Sequence, residues 1–283
     1  RALVVKLVDT KDLKSLPLWE CQFESGRGHQ EIFNMFYFAV SNNKKAKILK
    51  KKIFRNYKNT SLKKAKAIIV CGGDGFMLHS IKKYLKYKKP FYGVNCGNVG
   101  FLMNNYISSK FEKKVFAAKK IYLNLMTAKI MTQDNQKKTL TAINETSLLR
   151  QTKQTSSIRI RVNKKKLLRE LTGDGVVIST PVGSTAYNYS IGGPILGLNS
   201  KKIVITPISP FRPRKWKGKI VSEKSEIILE NLKSQRPISV VADNSEVRNV
   251  KKVSIQINKN IKICVLYDKN NSFKKKIKLL NKA

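Results

Sequence analysis

Ala67-Ile68-Ile69-Val70-Cys71-Gly72-Gly73-Asp74-Gly75-Phe76-Met77-Leu78 joins an apolar run to a glycine-rich turn and then to a helical pattern. Met77, Leu78, Ile81 and Leu85 recur at spacings of three and four, as one face of a helix requires. Strand, glycine turn and helix form a layout that cradles phosphates, because bare backbone N–H groups and a helix N-terminus favour anionic oxygens. A carboxylate inside such a turn repels phosphate unless a proton or a metal takes part. Asp74 is therefore a candidate for chemistry as well as for binding. The stretch lacks the G-x-x-x-x-G-K-[ST] pattern and does not extend to G-x-G-x-x-G, so neither standard nucleotide fingerprint applies.

Outward from this stretch the chain alternates. Phe36-Tyr37-Phe38-Ala39-Val40 reads as a buried strand, and Ser41, Asn42 and Asn43 can cap a helix whose inner face is Ala46, Leu49, Ile53 and Tyr57. Lys44, Lys45, Lys47, Lys50, Lys51 and Lys52 fall on the opposite, solvated face. The helix after the glycine turn is expected to reach about Lys88, followed by a strand at Phe91-Tyr92-Gly93-Val94-Asn95. This βαβαβ series predicts a parallel sheet with helices on its faces. Beyond about residue 120 short strand-like runs recur at 121–131, 140–149, 157–162, 175–180, 202–206, 226–230, 238–242, 252–257 and 261–267. The expected fold class is thus an α/β N-terminal domain with a parallel sheet plus an all-β C-terminal domain. The basic end, Ser272 to Ala283, can form a short helix.

The chain carries 58 basic and 17 acidic residues among 283, a net charge of +41. A surface this basic can serve nucleic acid or acidic membranes. The lysines run along the whole chain rather than in one stripe, which favours an ordinary lysine-rich enzyme surface. Residues 1–34 differ: five carboxylates (Asp9, Asp12, Glu20, Glu24, Glu31) cancel five basic residues, and the first methionine is Met35. These residues are expected to be an N-terminal extension foreign to the functional domain. Cys21, Cys71, Cys96 and Cys264 show no close pairing, so neither a zinc knuckle nor a disulfide framework is indicated. No apolar stretch approaches a membrane span. A reduced, cytoplasmic setting is the expectation.

Two further clusters carry polar groups that need partners. Thr172-Gly173-Asp174-Gly175 leads into the strand Val176–Thr180, then Pro181-Val182-Gly183-Ser184-Thr185-Ala186-Tyr187, Ser190 and Gly192-Gly193-Pro194. Small residues let a planar ligand approach the backbone, while Thr185, Tyr187 and Ser190 offer hydroxyls and Asp174 an acceptor. Asn144-Glu145 lies within Thr141–Arg150, read as an apolar strand, where buried polar groups cost free energy unless they are hydrogen-bonded. A ligand's hydroxyls would satisfy them, and so would a neighbouring turn.

Together these motifs resemble the NAD kinase family of bacterial type: GGDG after a strand, the Asn-Glu pair, and TGDGVVISTPVGSTAYNYSIGGPI. Tyr92–Asn95, Gly97–Asn104 and Ile205–Pro210 resemble it too, and the likeness runs from about Met35 to about residue 270. The resemblance implies an α/β domain at 35–120 carrying GGDG, a β-rich NAD-binding domain at 121–260, and a segment at 261–283 returning to the first domain. It implies phosphorylation of the adenosine ribose 2′-hydroxyl of NAD by ATP, giving NADP. On this resemblance Asp74 matches the catalytic aspartate, with Gly72, Gly73 and Gly75 in its loop, and His79 a nucleotide-contacting position. Asn144 and Glu145 match the NAD-binding pair, and Asp174 the acidic residue near the nicotinamide. Thr185, Ala186, Tyr187 and Ser190 match the segment that holds the adenine part. Val182 falls at a cofactor-binding position on this resemblance, though it and Thr172 depart from the family pattern, and Asp243 matches a late aspartate. The family's self-association into dimers or tetramers is implied as well.

A ribose hydroxyl is a poor nucleophile, so a positioned base is worth about a hundred- to ten-thousand-fold. Asp74 is the candidate base, with magnesium or another divalent cation held mainly by the ATP phosphates and no separate protein metal site expected. Two rivals compete. A diacylglycerol-type lipid kinase shares GGDG and the two-domain plan but needs an apolar entry surface. A basic nucleic-acid-binding protein needs a basic stripe with exposed aromatics, whereas Phe and Tyr here fall mostly at strand or helix-core positions.

Overall fold

The computed structural model describes residues 34–97, 100–106, 110–269 and 276–277, and its first part alternates strands and helices. These are β1 (Phe36–Val40), α1 (Lys44–Ile53), β2 (Ala67–Gly72), α2 (Asp74–Tyr84), β3 (Phe91–Asn95), β4 (Met103–Asn104) and α3 (Phe111–Ala117). Strands then dominate: β5 (Lys119–Thr132), β6 (Lys137–Ala142), β7 (Glu145–Arg150), β8 (Ser156–Val162), β9 (Lys165–Gly173) and β10 (Gly175–Ser179). A short helix, α4 (Tyr187–Ser190), precedes β11 (Lys202–Ile208), β12 (Lys219–Ser222), β13 (Ile227–Asn231), β14 (Ile238–Ala242), β15 (Ser245–Val247) and β16 (Val250–Tyr267). The proposed extension falls almost wholly outside the described residues, as does the basic end apart from 276–277.

Every residue of β2 is buried, because this strand is central and covered on both faces. Ile68 and Val70 pack with Met77 and Ile81 of α2, while Ala67, Ile69 and Cys71 pack with Ala46 and Ile53 of α1 and Phe111 of α3. Burying each such aliphatic side chain stabilises the fold by about 1.5–3 kcal/mol. The Asn43 side chain accepts from the Ala46 amide at 2.7 Å and so starts α1, whose lysines stand exposed.

β1, β2 and β3 pair in parallel, and β3 pairs in parallel with the end of β16 at Phe91 and Tyr92. Beyond β16 the same sheet continues antiparallel through β13, β8 and β9, and β5 and β6 branch from β16. A second sheet, β12-β11-β10-β7-β14-β15, is antiparallel throughout. Its inward residues Leu148, Val176, Ile178 and Ile205 meet Met126, Ile160, Leu229 and Val253 of the first sheet in one apolar core. The molecule thus joins a mixed α/β region to a mostly-β region.

Several expectations need correction. α2 itself ends at Tyr84, but the helical run continues as a 3-10 turn over Leu85–Tyr87 and is capped, close to its expected end, by Lys88 at a left-handed φ of 52° ahead of the Lys89-Pro90 step. The single strand expected at 140–149 is two strands, broken at Ile143-Asn144. The two expected at 252–257 and 261–267 are the one strand β16, irregular between Asn258 and Lys262. The limit expected near 120 stands at the junction of α3 and β5, and residue 260 lies within β16. β4, β9, β12, β15, α3 and α4 lie outside the expected elements. For β8 and β9 the signal is a two-residue turn, Asn163 and Lys164, both at positive φ (50° and 66°), as a primed hairpin turn requires.

Candidate active site

Only Gly73 separates the end of β2 from the start of α2, and it caps that helix without a side chain. A Cβ at Gly73 or Gly75 would meet no protein atom within 4 Å, so the space before the helix N-terminus is open. Gly72 is different: a Cβ there would press on Phe76. His79 is exposed one turn further along, its ring stacked on Phe76.

Asp74 is the first residue of α2, and its carboxylate grips the loop before β4. Oδ2 accepts from the Phe101 amide at 2.7 Å and Oδ1 from the Leu102 amide at 2.9 Å. Burial raises the Asp74 pKa, opposed by these two amides and by the nearby charge of Lys276. A more basic carboxylate held in one orientation is better suited to take a proton from a hydroxyl.

A second carboxylate repeats this device. Asp243, in the β14–β15 turn at φ 49°, accepts from the Ile143 and Asn144 amides through Oδ2 and Oδ1, both at 2.9 Å. Lys82, on the last turn of α2, pairs with Asp243 Oδ2 at 2.8 Å, and the Asp243 side chain is only 4% exposed. Asn144 therefore sits in the β6–β7 turn and Glu145 opens β7, because Asp243 holds open a turn that strand pairing would close. The turn is tied to the third motif as well. Thr180 Oγ1 donates to the Ile143 carbonyl at 2.7 Å, and the Thr180 amide to the Asn144 carbonyl at 2.9 Å. Ile143 and Val182 join Met77 and Ile81 in the core beneath α2, so the Val182 side chain packs inward.

Gly183 lies against this turn: a Cβ there would come within 2.2 Å of the Asn144 carbonyl oxygen. Backbone cannot yield as a side chain can, so Gly183→Ala is expected to displace Asn144-Glu145. Thermal unfolding should report a loss of about 1–3 kcal/mol, and substrate titration a weaker KM with kcat changed less.

Glu145 faces inward with its Oε2 buried and without a hydrogen-bond partner. Burial, aided by the negative charge of Asp243, pushes its pKa up to about 7. Tyr187 is exposed, and its phenol pKa is raised by burial and then by the charges of Asp174 and Glu145, so the three groups are neighbours. Asp174 Oδ1 accepts from Arg150 Nε at 2.6 Å, and both line an open pocket with Tyr187 and Ile208. Thr185 is half-buried, its hydroxyl donating to the Val182 carbonyl at 3.2 Å, while Ala186 is half-buried and Ser190 exposed beside it. Arg150, Lys82 and Lys276 were not singled out in the sequence, where nothing separates them from the other basic residues. Among the described residues no three His, Cys, Asp or Glu side chains converge as a metal-ligand set. No helix among them is long and apolar enough to cross a membrane.

A family model described as the ATP-NAD kinase C-terminal domain matches residues 143–268. An NAD kinase of Brucella suis biovar 1 is 37% identical over 242 residues, covering 85% of this chain and 94% of that protein. An NAD kinase of Xylella fastidiosa (strain 9a5c) is 39% identical over 241 residues, covering 85% and 93%. Two solved structures share the fold. An NAD kinase from Archaeoglobus fulgidus in complex with ATP has a TM-score of 0.69 at 22% identity, covering 88% of this chain and 97% of that one. The yeast NADH kinase complexed with NADH has a TM-score of 0.73 at 19% identity, covering 92% and 93%.

Proposed function

The chain belongs to the NAD kinase family and is a phosphotransferase, and from that premise we propose that it moves the γ-phosphoryl group of ATP onto the 2′-hydroxyl of the adenosine ribose of NAD, with Asp74 as the base. The products are ADP and NADP. One observation carries the assignment of Asp74: its carboxylate stands at the head of α2 beside the open faces of Gly73 and Gly75, held by two amides. Phosphates at the glycine turn would meet backbone N–H groups there, with the carboxylate beside them. The oxygen that attacks must lose a proton as the phosphoryl group arrives, and Asp74 accepts it. Most of the rate comes from alignment and charge neutralisation, as is general for phosphoryl transfer.

In this reading NAD lies across the Ile143–Glu145 turn and the Thr185–Ser190 segment, with Asp174 and Arg150 at the pocket's outer end. Glu145 Oε2, buried without a donor, accepts from a substrate hydroxyl. A divalent cation carried by the triphosphate would be held mainly by the phosphate oxygens and would neutralise charge on the transferring phosphoryl group. Lysines over the surface attract both anionic nucleotides, an effect that weakens with salt. Self-association and a cytoplasmic setting rest on family membership alone.

Glu145 makes the reading pH-sensitive. Its folded pKa of about 7 lies above the ordinary 4.5, so ionising it costs the folded state increasingly as pH rises between those values. Without NAD, Glu145→Gln is expected to be more stable than wild type at pH 8, by on the order of 2 kcal/mol. The difference should vanish below about pH 4.5, and thermal melts across pH measure it. Binding runs the other way: protonation replaces a charged acceptor by a weaker neutral one, so KM for NAD should rise about five- to tenfold from pH 8 to pH 6, and Glu145→Gln should lack that rise.

Substrate choice is tested by offering NAD, a diacylglycerol and DNA to the purified chain with ATP. NADP formation supports the reading. Phosphatidic acid formation would replace it with the lipid-kinase alternative, and DNA retention at physiological salt without NADP formation would favour the nucleic-acid alternative.

A further inference from the structure

The loop that holds Asp74 is gripped from its other side by a lysine. Lys276 Nζ donates to the carbonyls of Gly100 at 2.7 Å, Phe101 at 3.2 Å and Met103 at 2.6 Å. An ammonium has three N–H bonds, and each finds an acceptor in this loop. The loop thus presents carbonyls to a cation and the Phe101 and Leu102 amides to the Asp74 carboxylate. Its backbone is also closely packed: a Cβ at Gly100 would come within 2.6 Å of Met103.

The surroundings fix the ammonium in place. It lies 4.8 Å from the ring centre of Tyr267, the last residue of β16. The next residue, Asp268, accepts from the Tyr92 hydroxyl at 2.8 Å, pairs with Lys114 at 2.8 Å, and donates its amide to Asn104 at 2.9 Å. The charged and titratable groups around Lys276 are therefore Asp74, Asp268 with its partner Lys114, and the phenols of Tyr267 and Tyr92. Burial lowers the Lys276 pKa to about 8, against the upward pull of Asp74 and Asp268.

We propose that Lys276 is a positioning residue for phosphoryl transfer: by holding the Gly100, Phe101 and Met103 carbonyls it fixes the amides that orient the Asp74 carboxylate. The inference rests on the reading of Asp74 as the base. It differs from a simple anchoring of the chain's end, because an anchor would affect stability and leave turnover and its pH profile alone. The distinction is measurable because misplacing a catalytic group by about 1 Å can cost on the order of a hundredfold in rate.

The experiment compares the wild-type 283-residue chain, Lys276→Met, Lys276→Arg and Asp74→Asn by steady-state kinetics from pH 6 to 10, alongside thermal melts. Lys276→Met should lower kcat at least about tenfold while KM for NAD stays within about threefold. Wild-type kcat should fall as pH rises through about 8, where the amine loses its proton. Lys276→Arg keeps its charge throughout and has a planar fork that fits three carbonyls poorly. Its kcat should be reduced about three- to tenfold yet remain flat above pH 8. Lys276→Met turnover within about twofold of wild type overturns the proposal, and so does an alkaline fall retained in Lys276→Arg. If Lys276→Met does not fold, the arginine profile decides alone. Normal turnover in Asp74→Asn would instead sink the base assignment itself. An inactive Asp74→Asn beside a fully active Lys276→Met would remove only the role of Lys276.

Discussion

Asp74→Asn is expected to bind NAD within about threefold of wild type and to lose about a hundred- to ten-thousand-fold in kcat. The asparagine has nearly the same shape but no basic oxygen. Its amide can accept from only one of the Phe101 and Leu102 N–H groups, and its NH2 faces the other. Leaving one buried donor unmatched costs about 1–3 kcal/mol, so a modest drop in Tm should accompany the kinetic loss. The two effects separate: a variant that is folded, binds NAD by calorimetry and fails to turn over identifies the base. Retained turnover would reduce Asp74 to a clamp on the loop.

Asp243→Ala should have the largest effect on stability. It removes two hydrogen bonds to adjacent amides and the ion pair with Lys82, from a carboxylate that is 4% exposed. Breaking a buried pair of this kind costs roughly 3–5 kcal/mol, with the lower end favoured because Lys82 can turn to solvent. In a domain of this size that corresponds to a Tm lower by about 6–15 °C. Because Asp243 spaces Asn144-Glu145 against α2, KM for NAD should also rise, about tenfold or more. Asp243→Asn offers a check: it keeps one acceptor and removes the negative charge that raises the Glu145 pKa. The pH at which NAD binding weakens should then move to lower values.

How much of this was legible in the sequence depends on the range of each contact. The strand, glycine turn and α2 are one local unit, and Asp74 stood out because a carboxylate is foreign to a phosphate cradle. The parallel series β1 to β3 followed from the same alternation. Asn144-Glu145 was recognisable as a polar pair needing partners, but the strand break was not. Its cause, Asp243, lies 100 residues from Ile143. Lys276 is 176 residues from Gly100, and one lysine among so many carries no signal until the fold sets it against three carbonyls. Val182 lies within a ligand-like motif, and the local sequence does not show that its side chain turns into the core under α2. β9 was missed because most of its residues are exposed or half-buried, so its pattern lacks the alternation of a strand with one covered face.

The most direct test is the chemical identity of the product. The purified 283-residue chain incubated with NAD, ATP and magnesium should yield a dinucleotide whose 31P spectrum contains one new phosphomonoester resonance, assigned to the ribose 2′ oxygen, in step with ADP release. The same incubation with Asp74→Asn should give almost none. A new phosphate at any other position, or ATP consumed with NAD unchanged, would contradict the account.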